Sequence, residues 1–278
     1  MAPAWLPPPD GSRDARIEDP TNLYFVHLSG RALLPLALRI GLSPNPVSVT
    51  GFVLGAGAAA AYYHWRDPRM ACLGLVLCVL WLIADGLDGM IARATGRASA
   101  FGRFLDGLCD HGVFLLLYLS LATSIGTVEA WVLAIAAGAA HAVQATLYEG
   151  ERTRFHRRLK GDAGSVAGAP SANPLVRLYD RVAGSLDRFA APLDERLRAA
   201  ADPRAFGEAY AAKAVPPLRL MSLLTNNMRV LTIFLACLAG DPRWFWITEL
   251  TVQTALLVIG TVWLRRVEGA IVREATGS

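Results

Sequence analysis

Apolar runs of close to twenty residues, separated by short polar breaks, dominate this chain of 278 residues. Six stand out, at about 46–63, 70–91, 101–124, 128–148, 218–239 and 245–264. A helix needs about 20 apolar residues to cross a bilayer, and a helix keeps its backbone hydrogen bonds to itself in lipid. The pattern therefore predicts an all-α fold: a polytopic membrane bundle of six transmembrane helices. Ahead of the first run, 21–43 carries Leu33, Leu34, Leu36, Leu38 and Ile40 beside Arg31 and Arg39, and Pro35 interrupts it. It is too short to span, and a helix lying in the interface fits it.

The remaining segments are polar. Residues 1–20 are Pro-rich and charged, predict a disordered cytoplasmic terminus, and lack the apolar stretch of a signal peptide. Residues 149–218 form the one long polar stretch, a cytoplasmic helical insertion. It opens with the basic cluster ERTRFHRRLK, and Leu175, Leu178, Val182, Leu186 and Phe189 recur at helical spacing. Residues 267–278 form a tail. Transmembrane helices one to four, at 44–148, hold the motif described below, and helices five and six occupy 219–266.

Charge orients the bundle. Hydrophobic residues make up 54% of the chain and charged ones 18%, below the roughly 25% of soluble domains. With six spans, all lysines and arginines except Arg66, Arg69, Arg243 and the intramembrane Arg229 fall on the side of the termini. Basic residues favour the cytoplasm, so both termini, the 93–103 loop and the insertion face it. The cluster around His156 suits anionic lipid. It argues against nucleic acid, because it adjoins a span and has no interleaved aromatic platform. Cys72, Cys78, Cys109 and Cys237 show no metal-ligand spacing and read as small apolar packing residues.

The run ADGLDGMIARATGRASAFGRFLDGLCDHG breaks the apolar pattern with charge. Asp85 and Asp88 are three apart and share a helix face, and Asp106 and Asp110 are four apart and share another. Arg93 lies about two turns beyond Asp85. A short Gly-containing turn joins the two helices, so they are expected to be antiparallel neighbours with their carboxylates facing. Carboxylates gathered in lipid call for cations. An all-oxygen set suits Mg²⁺, Mn²⁺ or Ca²⁺ rather than zinc. Gly86, Gly89, Ala92 and Gly102 leave room for a ligand beside the backbones.

These residues resemble the signature of the CDP-alcohol phosphatidyltransferase family, D-x-x-D-G-x-x-A-R-x(8)-G-x-x-x-D-x-x-x-D. Asp85, Asp88, Gly89, Ala92, Arg93, Gly102, Asp106 and Asp110 occupy every fixed position, and SPNPVS at 43–48 resembles the family's upstream segment. The motifs cover about Ser43 to Leu119, and the length of the 149–218 segment is not a family feature. The resemblance implies transfer of a phosphatidyl group from a CDP-linked donor, usually CDP-diacylglycerol, to an alcohol acceptor with release of CMP. It implies Asp85, Asp88, Asp106 and Asp110 as ligands of two Mg²⁺ ions, with Mn²⁺ as a substitute, and Asp110 as the general base. It implies contacts to the donor nucleotide and its phosphates from Gly89, Arg93 and Ser99, with Ala92 and Gly102 beside them, and a second donor contact from Asn45 and Ser48. It also implies a bacterial cell-membrane location and a homodimer, for which Gly55, Gly57 and Ala58 to Ala61 would allow close helix packing.

Polar residues in spans four to six are candidates for choosing the acceptor. His141, Gln144 and Tyr148 share one face of span four; Asn226, Asn227 and Arg229 lie in span five; Glu249, Gln253 and Thr254 lie in span six. An intramembrane arginine needs an anionic partner. The carboxylate cavity or a substrate phosphate is the expected one for Arg229, which would suit a phosphorylated acceptor. His111 points about 100° away from Asp110 and reads as packing. Two other readings stand beside this one. A soluble CDP-alcohol donor with a lipid acceptor would give the same motif. A divalent-cation transporter would also use paired aspartates, but nearer the bilayer midplane and without need of the Gly, Ala and Arg positions.

Overall fold

The structure, a computed structural model, describes residues 13–164 and 191–274. All regular structure among these residues is helical. Following a π-turn at Asn22–Val26 come α1 (His27–Arg39), α2 (Pro44–Tyr63), α3 (Pro68–Ala94), α4 (Ala100–Ile125) and α5 (Val128–Leu159). Residues 191–199 are helical. They are followed by α6 (Pro203–Met221), α7 (Asn226–Leu238), α8 (Arg243–Thr248), a second π-turn at Glu249–Gln253, and α9 (Thr254–Glu274).

Local chemistry sets several of these ends. Proline opens α2, α3 and α6, where its missing N–H costs nothing. Asp67 caps α3 by accepting from the Arg69 N–H, and Asp202 caps α6 by accepting from Arg204 and Ala205. Gly126, at φ 74°, closes α4 in the left-handed conformation that only glycine adopts cheaply.

Among the described residues, four helices are long and apolar enough to cross a membrane: Pro68–Ala94, Phe104–Ile125, Val128–Leu159 and Arg243–Glu274. Counting Pro203–Leu224 with Asn226–Leu238 as one broken span gives five. This is a multi-pass membrane pattern with fewer clear spans than the six expected. α2 coincides with the first expected run and is 20 residues long, with glycine and alanine along much of it. The fifth expected span is broken at Ser222–Thr225, and helix already begins at Pro203, inside the stretch read as a polar insertion. α5 likewise continues to Leu159, past the expected boundary at 148. The amphipathic pattern at 175–189 lies outside the described residues.

Two further expectations change near the N-terminus. Pro35 does not interrupt the helix that contains it; α1 runs through to Arg39. Residues 17–19, expected to be disordered, are buried, with Asp19 accepting from the Asn22 backbone N–H at 2.8 Å. Tyr24, Phe25, Leu28, Leu33, Leu36 and Leu38 are exposed along the π-turn and α1.

The chain divides into two compact units. The first comprises residues up to His141 and Thr225–Val252. Here α2 packs along both α3 and α4, and α1 and α7 also pack on α3. Backbone contact between α3 and α4 themselves is sparse, so these expected neighbours meet through side chains, as in the edge-on pair of Trp81 and Phe114 with ring centroids 5.4 Å apart. Glycines make this arrangement fit. A Cβ at Gly51 would lie 3.3 Å from both the Ala84 Cβ and the Trp81 ring on α3. One at Gly55 would lie 2.3 Å from a Val113 methyl on α4, and one at Gly74 would lie 2.8 Å from the Tyr62 ring. The small residues of α2 are thus used inside the chain. Gly55, Ala58, Ala59 and Ala61 are buried there, while Gly57 is half-buried and Ala60 is exposed. Trp81, Phe114, Leu117, Leu121, Ile233, Phe245 and Trp246 fill the core of this unit.

The second unit comprises Ala142–Leu224 and the chain from Gln253 onward. α6 packs on α9, and a Cβ at Gly260 would lie 2.3 Å from the Met221 side chain. Its interior is ionic as well as apolar. Arg158, 1% exposed, donates to Asp194 at 2.7 Å, to Glu268, and to the Tyr210 hydroxyl at 3.3 Å. Glu151 accepts from Arg154 at 2.8 Å and from Arg265. The basic cluster read as a lipid-facing surface therefore sends Arg158 inward.

Gly55→Ala should destabilise the protein by about 1–3 kcal/mol, the cost of overpacking a tight contact. Thermal unfolding in detergent measures this. Val113→Ala in the same chain should recover most of the loss, because the clash is with its methyl groups.

Candidate active site

Three helix ends meet around the carboxylates. α3 ends at Thr95, Gly96 turns the chain at φ 65°, and the Arg97 N–H bonds back to the Ala92 carbonyl at 2.9 Å. Ser99 then caps α4, its hydroxyl accepting from the Gly102 N–H at 3.0 Å. The eight residues between Arg93 and Gly102 are thus a helix stop followed by a helix start. The N-terminus of α2 completes the group. A Cβ at Gly102 would lie 3.2 Å from the Ser99 hydroxyl and 3.5 Å from the Asn45 Oδ1. Asn45, Ser99 and Gly102, three separate sequence candidates, therefore share one place.

The carboxylates lie deeper along the same helices. Asp88 is 4% exposed and accepts a hydrogen bond from the Ser48 hydroxyl in the first turns of α2. The Asp85 carboxyl, on α3, lies within hydrogen-bonding reach of both Asp106 and Asp110 on α4, and Asp88 is close enough to feel the charges of both. The indole of Trp81 also reaches Asp110. Among the described residues, no three such side chains converge into a ready coordination shell. The structure supplies instead four carboxylates, from two helices, within one another's electrostatic range. An oxygen-only donor set of this kind fits a hard divalent cation in kind.

Glycine shapes the space beside them. A Cβ at Gly89 would lie 3.1 Å from a guanidinium nitrogen of Arg93, so the arginine folds back over that glycine one turn earlier. At Gly86 and Gly107 a Cβ would meet nothing within 4 Å, so both border open space beside Asp85 and Asp106. Ala92 is half-buried on the same helix.

The acceptor candidates fall elsewhere. Arg229 is completely buried and donates to Glu249 at 3.0 Å, itself completely buried. Its anionic partner is this glutamate, not the carboxylate cavity as expected. Both residues were visible in the sequence; their pairing was not, because it joins α7 to a π-turn twenty residues on. His141 is buried, edge-on to Phe114 with ring centroids 4.4 Å apart, and its Nδ1 lies 3.4 Å from the Tyr118 hydroxyl. In the second unit, the buried Gln144 donates to Thr254 at 3.0 Å, and Tyr148 is also buried. Asn226 is half-buried at the start of α7, and Asn227 donates to Asp19 at 3.5 Å. The His111 ring bonds the Gly107 carbonyl of its own helix at 2.7 Å. Trp81 escaped the sequence reading. Its signal was there, since it precedes Asp85 by four residues on the same helix face.

These features define an all-helical, multi-pass membrane protein with a polyaspartate site at the meeting point of three helix ends. Residues 42–163 match the family model for CDP-alcohol phosphatidyltransferase. The archaetidylinositol phosphate synthase of Pyrococcus horikoshii is 37% identical over 72 residues, 26% of this chain and 36% of that protein. The phosphatidylinositol phosphate synthase of Mycobacterium marinum is 36% identical over 86 residues, 29% of this chain and 35% of that protein. The enzyme of the same description from Mycobacterium tuberculosis is 34% identical over 86 residues, 29% and 37% of the two chains. The chain thus spans little more than a third of the curated relatives it matches. Nothing among these matches points to a cation transporter.

Glu249→Ala should lower stability by about 3–5 kcal/mol by leaving the Arg229 charge buried without its partner. The double variant Glu249→Leu with Arg229→Met should recover most of that loss. Thermal unfolding of these two variants and the wild type in one detergent checks both statements.

Proposed function

We propose that this protein transfers a phosphatidyl group from CDP-diacylglycerol to the hydroxyl of an alcohol, releasing CMP, in phospholipid synthesis. The observation that carries the reading is the convergence of the signature residues. Asp85, Asp106 and Asp110 lie within reach of one another, while Asn45, Ser99 and Gly102 meet beside them. Asp85, Asp88, Asp106 and Asp110 are the residues to hold two Mg²⁺ ions, for which Mn²⁺ would substitute. Bound there, such ions would neutralise the diphosphate and the leaving CMP.

The chain's own groups do the rest. Asn45, Ser48, Gly89, Arg93, Ser99 and Gly102 hold the donor nucleotide and its phosphates. Asp110 takes the proton from the acceptor hydroxyl. The hydroxyl oxygen then bonds to the phosphorus that carries the lipid, and the phosphoanhydride P–O bond to CMP breaks. Such a transfer depends on positioning and charge stabilisation, which suits side chains fixed on rigid helices. The active site faces the cytoplasm by the placement of basic residues, and α1 lies at the membrane interface.

The relatives make phosphatidylinositol phosphate or its archaeal counterpart, which favours a phosphorylated inositol as acceptor. Arg229 adds no support for that choice, because Glu249 already engages its charge. Assembly as a homodimer is part of the reading through family resemblance.

Purified protein supplied with CDP-diacylglycerol, Mg²⁺ and inositol phosphate should release CMP, and EDTA should abolish the release. Asp110→Asn should retain metal binding yet lose turnover; full activity in this variant would overturn the base assignment. A parallel screen of glycerol phosphate, serine, inositol, glycerol and sphingoid alcohols should show CMP release fastest with inositol phosphate.

A further inference from the structure

The end of the first unit away from the carboxylates holds an opening of its own. α3 is 27 residues long, about 40 Å from end to end, and the candidate active site belongs to its last turns. At its start, the ends of α2 and α7 border a cavity of about 320 Å³. Trp65, Arg66, Pro68, Cys237, Leu238 and Gly240 line it.

The polar side chains here are donors. Trp65 is 8% exposed, and its indole nitrogen is buried with no hydrogen-bond partner. Arg66 lies over that ring, its guanidinium carbon 4.6 Å from the ring centroid, and makes no ion pair among the described residues. Three residues before Trp65, the Tyr62 hydroxyl is also buried without a partner. The neighbouring acidic groups are already engaged. Asp67 accepts from the Arg69 N–H at 2.9 Å, and Asp241 pairs with Arg243 at 2.8 Å. Carbonyls at the ends of α2 and α7 are met by N–H groups of the chain that follows, Tyr62 by Trp65 at 3.1 Å and Ala236 by Asp241 at 3.2 Å.

An indole N–H and a guanidinium only donate, so the partner they lack is an acceptor. Beside a cation, the strongest acceptor is an anion. A buried donor left without one costs free energy, which a ligand supplying the acceptor would recover. The surroundings of the cavity specify the ligand further. Leu238 on its wall is 50% exposed, and Leu235, one turn earlier on α7, is 53% exposed. The cavity therefore adjoins an apolar helix surface, just where Pro68 begins a membrane span. Tryptophan at the end of a span sits at headgroup level, and basic pockets between such helices take lipid headgroups.

We propose that this cavity binds the phosphate of a membrane phospholipid, in the leaflet opposite the candidate active site. Arg66 and the Trp65 N–H hold the phosphodiester, and the acyl chains lie against Leu238 and Leu235. The site needs neither metal nor nucleotide and stands apart from the transfer reaction.

Native mass spectrometry of the purified full chain counts bound lipid directly, and EDTA throughout keeps the carboxylates free of metal. Arg66→Gln should bind dioctanoyl-phosphatidylglycerol about 10-fold more weakly than wild type, as expected for losing hydrogen bonds from a charged group. Trp65→Phe, which keeps a ring and loses the N–H, should weaken binding in the same direction. Arg66 is exposed, so Arg66→Gln should keep the wild-type thermal midpoint, and it carries the test even where Trp65→Phe fails to fold. Dioctanoylglycerol, which lacks the phosphate, should bind wild type and Arg66→Gln equally and weakly. Excess inorganic phosphate should leave the phospholipid in place. Equal phospholipid binding by wild type and Arg66→Gln would overturn the proposal. So would displacement by inorganic phosphate, which marks a site for free anions. Dioctanoylglycerol binding as tightly as the phospholipid would overturn it too, because that marks an apolar groove alone.

Discussion

Helices can bring carboxylates together only as closely as their own surfaces allow. In this chain that limit is set by α2, which packs along α3 on one side and α4 on the other. Gly51 and Gly55 remove the side chains that would hold those helices away. Hydrophobic association does little between helices in lipid, where the surroundings are already apolar, so close van der Waals fit carries the packing. The distance across which Asp85 meets Asp106 and Asp110 is therefore fixed by glycines that touch none of them. The site's rigidity comes from the same source, because each carboxylate sits on a helix whose neighbour cannot retreat without opening a void.

Charge inside the molecule is handled in two ways. Away from the site, it is closed. Arg229 meets Glu249, and Arg158 meets Asp194, Glu268 and Tyr210. Buried pairs so enclosed add little net stability, but breaking one is costly because it leaves an uncompensated charge. At the site, charge of one sign is left to accumulate on two helices, with open space at Gly86 and Gly107 beside it. That contrast separates a structural from a chemical use of buried charge more sharply than the number of charged residues does.

The local signals in the sequence were strong, and they carried the helical class and the cluster. Fixed gaps placed Asp85 and Asp88 on one face, whereas Ser99, read only as a donor contact, also caps α4. What stayed hidden was non-local. Arg229 and Glu249 are twenty residues apart, and periodicity says nothing about which face of one helix meets another. α2 was read as a membrane span because it is long and uncharged, and nothing in its sequence told which helices its glycines would pack against. Pro35 was read as a break, yet proline tolerates a helix that is supported from outside, and α1 lies against α3. Trp81 was passed over because an aromatic residue in an apolar run resembles core until its partner is known.

The hydroxyl of Ser48 has a single proton, and in this structure that proton is directed to Asp88. Its lone pairs are what remain for anything that binds beside it. Such a group can welcome an N–H or O–H and has nothing to offer a phosphate oxygen. If Ser48 touches the nucleotide while holding Asp88, it meets an amine or a sugar hydroxyl. The start of α2 then reads the identity of the nucleoside, and recognition of its charge falls to the other helix ends.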